Sequence, residues 1–190
     1  DGLQPVAWHD CAGGGQVVVE RDIAYVGNMR NPHGTQIIDV KDPKNPKLLA
    51  ELTMPSGTHS HKVRVHGDIM VTNIEQNERH ATRRAAKLKD VEAALAALLG
   101  RPATDAEVCA ETNLKPDQLK LVRDFLARPY VEGGFKVWDI ANRAKPRLLS
   151  RVTTHGFGVH RFDLDQRYAY ISTEMEGFVC NILVIYDLKD

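Results

Sequence analysis

The chain has 190 residues, and its 25 lysine and arginine residues balance its 25 aspartate and glutamate residues. A net charge of zero gives no overall field that would attract nucleic acid or an anionic membrane. The sequence also has no apolar run long enough to span a bilayer. These bounds favour a small-molecule ligand or a protein partner, and they make nucleic acid and membrane unexpected partners.

The three cysteines, Cys11, Cys109 and Cys180, form no CxxC pair. Their odd number favours reduced thiols over a disulfide framework. Together with the lack of a visible signal peptide, this predicts a cytoplasmic protein. The expectation depends on the true N-terminus, because a leader ahead of residue 1 would change it.

One segment of the chain occurs twice. Residues 39–49 (DVKDPKNPKLL) match residues 139–149 (DIANRAKPRLL), and each copy follows an apolar run. The run that ends at Asp187 begins a third copy, roughly one 40- to 50-residue repeat after Asp139. The interval between Asp39 and Asp139 is about twice as long, so the second unit carries an insertion.

The apolar residues within a unit have the period of strands, in short runs broken by Gly, Asp, Asn and Pro. The second unit fits four strands, at residues 63–65, 69–73, 135–140 and 147–152. This is the pattern of a four-stranded antiparallel β-propeller blade. The Asp that ends each third strand is explained locally, because its carboxylate can accept from backbone N–H groups about two residues on and start a turn.

The repeated runs carry a family resemblance. Residues 23–26 (IAYV), 35–43 (TQIIDVKDP) and 182–188 (ILVIYDL) resemble the LVIVD-repeat family of β-propellers, and the resemblance covers the chain apart from the insertion. It implies a mainly β fold built of propeller blades. Three units are fewer than the usual four to eight blades, so we expect part of a larger propeller, with the remainder from the same or another chain.

The insertion occupies residues 76–130 and separates propeller residues 1–75 from propeller residues 131–190. Its composition is helical, with Ala and Leu at three- and four-residue spacing over residues 83–99. A capping-box pattern at residues 104–107 predicts a second helix, and residues 115–119 predict the start of a third. The insertion is therefore predicted to be a small helical subdomain.

The same insertion resembles region 3 of bacterial primary-type sigma factors, through residues 100–108 (GRPATDAEV) and 113–119 (NLKPDQL). That resemblance implies a helix-turn-helix-like element near DNA. However, the insertion has ten basic and eight acidic residues, a balance too even for binding dominated by phosphate contacts. A helical bundle with a common packing pattern is the alternative, and it is the interpretation favoured here.

Histidines precede the first strands of the units. His61 and His160 occupy the same repeat position, and three more lie ahead of them: His9, His59 and His155. The innermost strand of a propeller lines its channel, so side chains at this position are expected to converge. Neutral imidazoles are common ligands of copper, iron and zinc, so we predict a metal or polar-ligand site at the channel mouth. The alternative is that these histidines only hydrogen-bond to neighbouring loops.

Two glutamates align at the ends of the second strands. Glu75 and Glu174 are candidate carboxylate ligands or general bases, and the alternative is that they are solvated loop charges. Successive connections of an up-and-down blade lie on opposite faces in alternation. The loop between the second and third strands, which holds the insertion, therefore shares a face with the loop that carries the histidines into the first strand. The helices are therefore expected to form a lid over the site.

A more distant resemblance, in architecture only, is to the selenium-binding-protein family. Histidines near the channel of those propellers bind metal and support methanethiol oxidation, which implies a metal-dependent oxidoreductase. The chain has no paired-cysteine motif, and neither Cys11 nor Cys180 can be placed on a cysteine of that family, so the substrate is not carried over. The alternative function is a non-catalytic interaction scaffold, with the helical insertion as its docking element.

Overall fold

A computed structural model describes residues 2–77, 79–127 and 130–189, with the side chains of residues 79–86 and 125–127 left out of the description. The chain forms two compact units. The β unit comprises Asp1–Asn77 and Val131–Asp190, and the helical unit comprises Glu78–Tyr130. None of the described helices is long and apolar enough to cross a membrane.

The β unit consists of three antiparallel sheets. Sheet 1 contains β1 (Gly14–Glu20), β2 (Ile23–Asn28), β3 (His33–Asp39) and β4 (Lys47–Thr53). Sheet 2 contains β5 (Thr58–His59), β6 (Val63–His66), β7 (Ile69–Gln76), β8 (Gly134–Asp139) and β9 (Arg147–Thr153). Sheet 3 contains β10 (Arg161–Leu164), β11 (Tyr168–Glu174) and β12 (Asn181–Asp187). The mainly β, antiparallel fold expected from the sequence is confirmed.

The pairing registers repeat from sheet to sheet. In sheet 2, Ile69 at the start of β7 lies opposite Asp139 at the end of β8. In sheet 3, Tyr168 at the start of β11 lies opposite Asp187 at the end of β12. Each Asp accepts a hydrogen bond from the backbone N–H two residues on, at 2.9 Å for Asp139 and 3.0 Å for Asp187. The predicted local role of these aspartates is confirmed.

The core of the β unit lies between adjacent sheets. One buried cluster joins sheet 1 to sheet 2, through residues such as Tyr25, Ile37 and Met70. A second cluster joins sheet 2 to sheet 3, through residues such as Val71 and Phe135. Neighbouring residues of β7, Met70 and Val71, therefore pack on opposite faces, as the period of two in a strand requires. The arrangement of the sheets as propeller blades stays a prediction.

The helical unit contains α1 (Arg79–Leu99), α2 (Asp105–Thr112) and α3 (Pro116–Ala127). The predicted capping box is present, because the Glu107 side chain accepts from the Thr104 backbone N–H at 2.7 Å while Thr104 caps the helix in return. Gly100 follows α1 with a φ of +65°, the left-handed conformation that glycine adopts readily at a helix C-terminus. Leu88, Val108 and Leu119 are among the buried residues of its separate small core.

Candidate metal centre

Three histidine rings surround one carboxylate oxygen in the β unit. Glu75 Oε2 lies 3.1 Å from His59 Nε2, 2.9 Å from His160 Nδ1 and 3.7 Å from His61 Nδ1. The centroid of the His61 ring lies 4.7 Å from that of His59 and 5.2 Å from that of His160. Glu75 is 1% exposed. Four residues named as candidates from the sequence therefore form one compact cluster, which we call the His3Glu cluster.

Backbone pairing brings these residues together. His59 on β5 lies directly opposite Glu75 on β7, so the two side chains share one face of the sheet. Glu75 also forms an isolated bridge with Gly158, which brings the segment ahead of β10 alongside β7. That segment carries His160. The cluster thus forms where the end of β7 meets the chain approaching the next sheet.

A buried asparagine holds both histidine-bearing segments. Asn73 Oδ1 accepts a hydrogen bond from the Lys62 backbone N–H at 2.9 Å, and Asn73 Nδ2 donates to the Val159 carbonyl at 2.8 Å. Lys62 follows His61 in the chain, and Val159 precedes His160. One amide side chain therefore fixes the positions of two imidazoles. Asn73 is not among the site residues predicted from the sequence, although an asparagine inside an apolar β run is an unusual signal.

Replacing Asn73 by alanine should lower the free energy of unfolding by about 2 to 4 kcal/mol, because it leaves two backbone groups without their partner. Metal affinity should fall as well, since His61 and His160 lose their common anchor. Urea denaturation measures the first effect. Asn45→Ala is the matched control, because within the described part of the chain the Asn45 side chain bonds only to Asp42, in an exposed turn. Equal losses in the two variants would contradict the anchoring role.

The Asn77 side chain orients the His59 ring. His59 Nδ1 lies 2.7 Å from Asn77 Oδ1, an oxygen that can only accept. His59 Nε2 faces Glu75 Oε2 at 3.1 Å on the other side of the ring. Asn77 therefore fixes the orientation in which His59 presents Nε2 to the carboxylate.

The electrostatics of the cluster favour neutral His61 beside ionised Glu75. Burial lowers the pKa of His61 to about 4, and the neighbouring His59 adds to the shift. Burial alone raises the pKa of Glu75, but hydrogen bonds with His59 and His160 outweigh it and bring that pKa to about 2. A neutral imidazole and an ionised carboxylate are the forms that bind metal.

These shifts set the pH dependence of the metal-free protein. Between pH 6.5 and pH 4, His61 is protonated in the unfolded chain but stays neutral in the folded protein. The free energy of unfolding should therefore fall as the pH is lowered. Glu75 extends the loss between pH 4.5 and pH 2. The His61 slope is at most about 1.4 kcal/mol per pH unit. Urea denaturation across this range should show that His61→Asn flattens the upper part, and an unchanged slope would contradict this assignment.

The other candidate residues lie elsewhere. His155 is exposed, forms an isolated bridge with Glu174, and lines a different cleft of about 420 Å³ together with Met175 and Cys180. His9 is half-buried in the segment before β1, where its carbonyl accepts from the Cys11 thiol at 3.8 Å. The interpretation of Glu75 as a solvated loop charge is wrong because that side chain is buried, whereas Glu174 is half-buried.

The donor set suits a transition-metal ion. Donor atoms of His59, His61 and Glu75 all lie within 4.8 Å of one another, and each of these residues is buried. His61 Nδ1 is itself buried and has no hydrogen-bond partner among the described residues. A buried imidazole nitrogen directed at a shared carboxylate is well placed to act as a metal ligand.

Comparison with known proteins gives no family for the chain. A scan against protein-family models found no match, and a search of curated proteins found no significant match. The resemblances to LVIVD-repeat propellers, to selenium-binding proteins and to sigma factors therefore stay predictions from the sequence.

Proposed function

We propose that the protein binds one transition-metal ion, copper, iron or zinc, through His59, His61, His160 and Glu75. The observation that carries the proposal is the approach of three imidazoles to a single oxygen of a buried carboxylate. An ionised carboxylate and neutral imidazoles are the ligand forms that a divalent cation binds. Such a cation would also give a partner to His61 Nδ1, which has no hydrogen-bond partner among the described residues.

A hydrogen-bonded network without metal explains the cluster less completely. It leaves His61 Nδ1 buried and without a hydrogen-bond partner among the described residues. The unpaired nitrogen costs about 1 to 3 kcal/mol. A bound polar small molecule is also disfavoured, because ring centroids 4.7 and 5.2 Å apart leave little room between the imidazoles.

Three imidazoles and one carboxylate accept zinc, copper or iron. A bound copper or iron ion would supply one-electron chemistry at this position, which is what the proposed role as a metal-dependent oxidoreductase requires. Burial of the cluster would limit access of water to the ion. Asn77 would orient His59, and Asn73 would hold His61 and His160 in position.

Titration of metal-free protein with Co²⁺ tests the proposal. We expect visible absorption bands that saturate at one equivalent, since Co²⁺ accepts the same nitrogen and oxygen ligands and is coloured when bound. His66→Ala should leave the titration unchanged, because His66 is exposed at the end of β6. A wild-type protein that shows no saturable bands with Co²⁺ and takes up no Zn²⁺ on dialysis would overturn the proposal.

Two broader parts of the proposed function rest on the sequence alone. These are the propeller arrangement of the sheets and the role of the helical insertion as a lid over the site. The alternative, a scaffold with the insertion as docking element, draws support from the helical unit, where Leu98 is 80% exposed and Leu121 41% exposed. Both roles of the insertion stay predictions.

A further inference from the structure

A cleft of about 450 Å³ lies along the first strands of the sheets in the β unit. It takes residues from β1, β6 and β10, the first full strands of the three sheets, and from two strands of sheet 3 behind them. The lining residues are Gln16, Lys62, Arg64, Arg161, Phe162, Asp163, Tyr170, Ser172 and Leu183. None of them belongs to the His3Glu cluster.

Strand alternation explains why this cleft is polar. Val63 is fully buried in the core between sheets 1 and 2, so its neighbours Lys62 and Arg64 point to the other side. Phe162 is buried in the core between sheets 2 and 3, and its neighbours Arg161 and Asp163 are likewise turned away. The cores of the β unit therefore hold the charged residues of the cleft in place.

The cleft has an excess of positive charge. Three of its side chains are cationic and only Asp163 is anionic. Asp163 already forms an ion pair, because its Oδ1 accepts a hydrogen bond from Arg64 Nε at 3.0 Å. Among the residues that the structure describes, no carboxylate lies within ion-pair distance of Lys62 or Arg161. Two cations are thus left without a counter-charge, beside the side-chain hydroxyl of Ser172 and the amide of Gln16.

We propose that this cleft binds a small anionic molecule through its carboxylate or phosphate group. The guanidinium of Arg161 offers a planar pair of donors to such a group, and the ammonium of Lys62 offers a compact charge. Lys62 directly follows His61, so the anion site adjoins the His3Glu cluster along the chain. Its use as the substrate site of the metal centre rests on the function proposed above, whereas anion binding itself does not.

Isothermal titration of metal-free, chelator-treated protein at low salt tests the inference. The probes are inorganic phosphate and succinate, with methylammonium as a cationic control. We expect saturable binding of at least one anion and none of methylammonium, and the anion that binds identifies the preferred group. Binding should weaken as salt is added, because screening reduces the attraction of these accessible charges.

The double variant Lys62→Gln/Arg161→Gln should bind the anion at least about tenfold more weakly for each cation lost. Lys44→Gln/Arg30→Gln is the matched control, since both residues are exposed outside the cleft. Circular dichroism checks that each variant is folded, and the single variants replace the double one if it is not. Failure of wild type to bind either anion, or equal weakening in the control, would overturn the anion site. Phosphate binding without Co²⁺ binding would instead overturn the metal proposal alone.

Discussion

Replacing His61 and His160 together by alanine is expected to abolish stoichiometric metal binding. The change removes two of three imidazoles and leaves Glu75 and His59 as an incomplete pair. Losing one residue that hydrogen-bonds to a metal ligand typically costs about 10- to 100-fold in affinity, so losing two direct ligands should cost at least about 10³-fold. Competition with a chromophoric chelator measures the change in affinity.

Loss of fold must be separated from loss of ligands in this experiment. Glu75→Gln serves as the second variant, because glutamine keeps the shape of the side chain and removes its charge. It should weaken metal binding while far-ultraviolet circular dichroism stays as in wild type. His66→Ala is the control at a histidine outside the cluster. Unchanged affinity in both the double variant and Glu75→Gln would refute the ligand assignment.

Replacing Gly27 by alanine is expected to damage the fold and the site together. A Cβ at position 27 would lie 2.6 Å from the carbonyl oxygen of His61 and 2.8 Å from the backbone nitrogen of Lys62. Both are backbone atoms and cannot swing aside as a side chain can. Overpacking of this kind costs about 1 to 3 kcal/mol, and relief requires the backbone at His61 and Lys62 to shift. We therefore expect lower stability and weaker Co²⁺ binding in the same variant.

Gly14→Ala provides the matched control for this change. Gly14 lies opposite Asn28 in the neighbouring strand, and its added Cβ would meet only the side chains of Cys11 at 3.3 Å and Val26 at 3.6 Å. A shift of a few tenths of an ångström accommodates it. Urea denaturation and Co²⁺ titration of both variants complete the test. Wild-type stability and affinity in Gly27→Ala would show that the close approach of β2 to His61 is not needed.

Much of the fold was predictable because its signals are local. The period of two in the apolar runs located the strands of sheet 2, and β6 begins at Val63 as expected. The aspartate turns and the capping box at Thr104 follow from side-chain hydrogen bonds over two or three residues. Such contacts depend on nearby sequence alone. The short strand β5 was not predicted, because its two residues are too few to show the alternation of apolar and polar side chains.

The candidate site was predictable in part. The repeat alignment correctly equated His61 with His160, and these two come together with His59. His155 does not join them, because it bridges to Glu174 of β11. That bridge is the counterpart in sheet 3 of the pairing between His59 and Glu75 in sheet 2.

The burial of Glu75 and the long-range contacts around the site could not be predicted from the sequence. The burial of Glu75 depends on contacts with His160 across 85 positions of chain. The bond from Asn73 to Val159 spans 86 positions, and no local pattern reports such a contact. The uncompensated charge of Lys62 and Arg161 likewise appears only once β6 and β10 are neighbours, since the net charge of the whole chain is zero.

Elemental analysis of the purified protein tests the central claim most directly. Inductively coupled plasma mass spectrometry, with protein quantified by amino-acid analysis, gives the ratio of each metal to protein. We expect close to one equivalent of copper, iron or zinc in wild type, and close to none in His61→Ala/His160→Ala. Wild-type protein that stays free of these metals after incubation with each ion and gel filtration would contradict the claim that the His3Glu cluster is a metal centre.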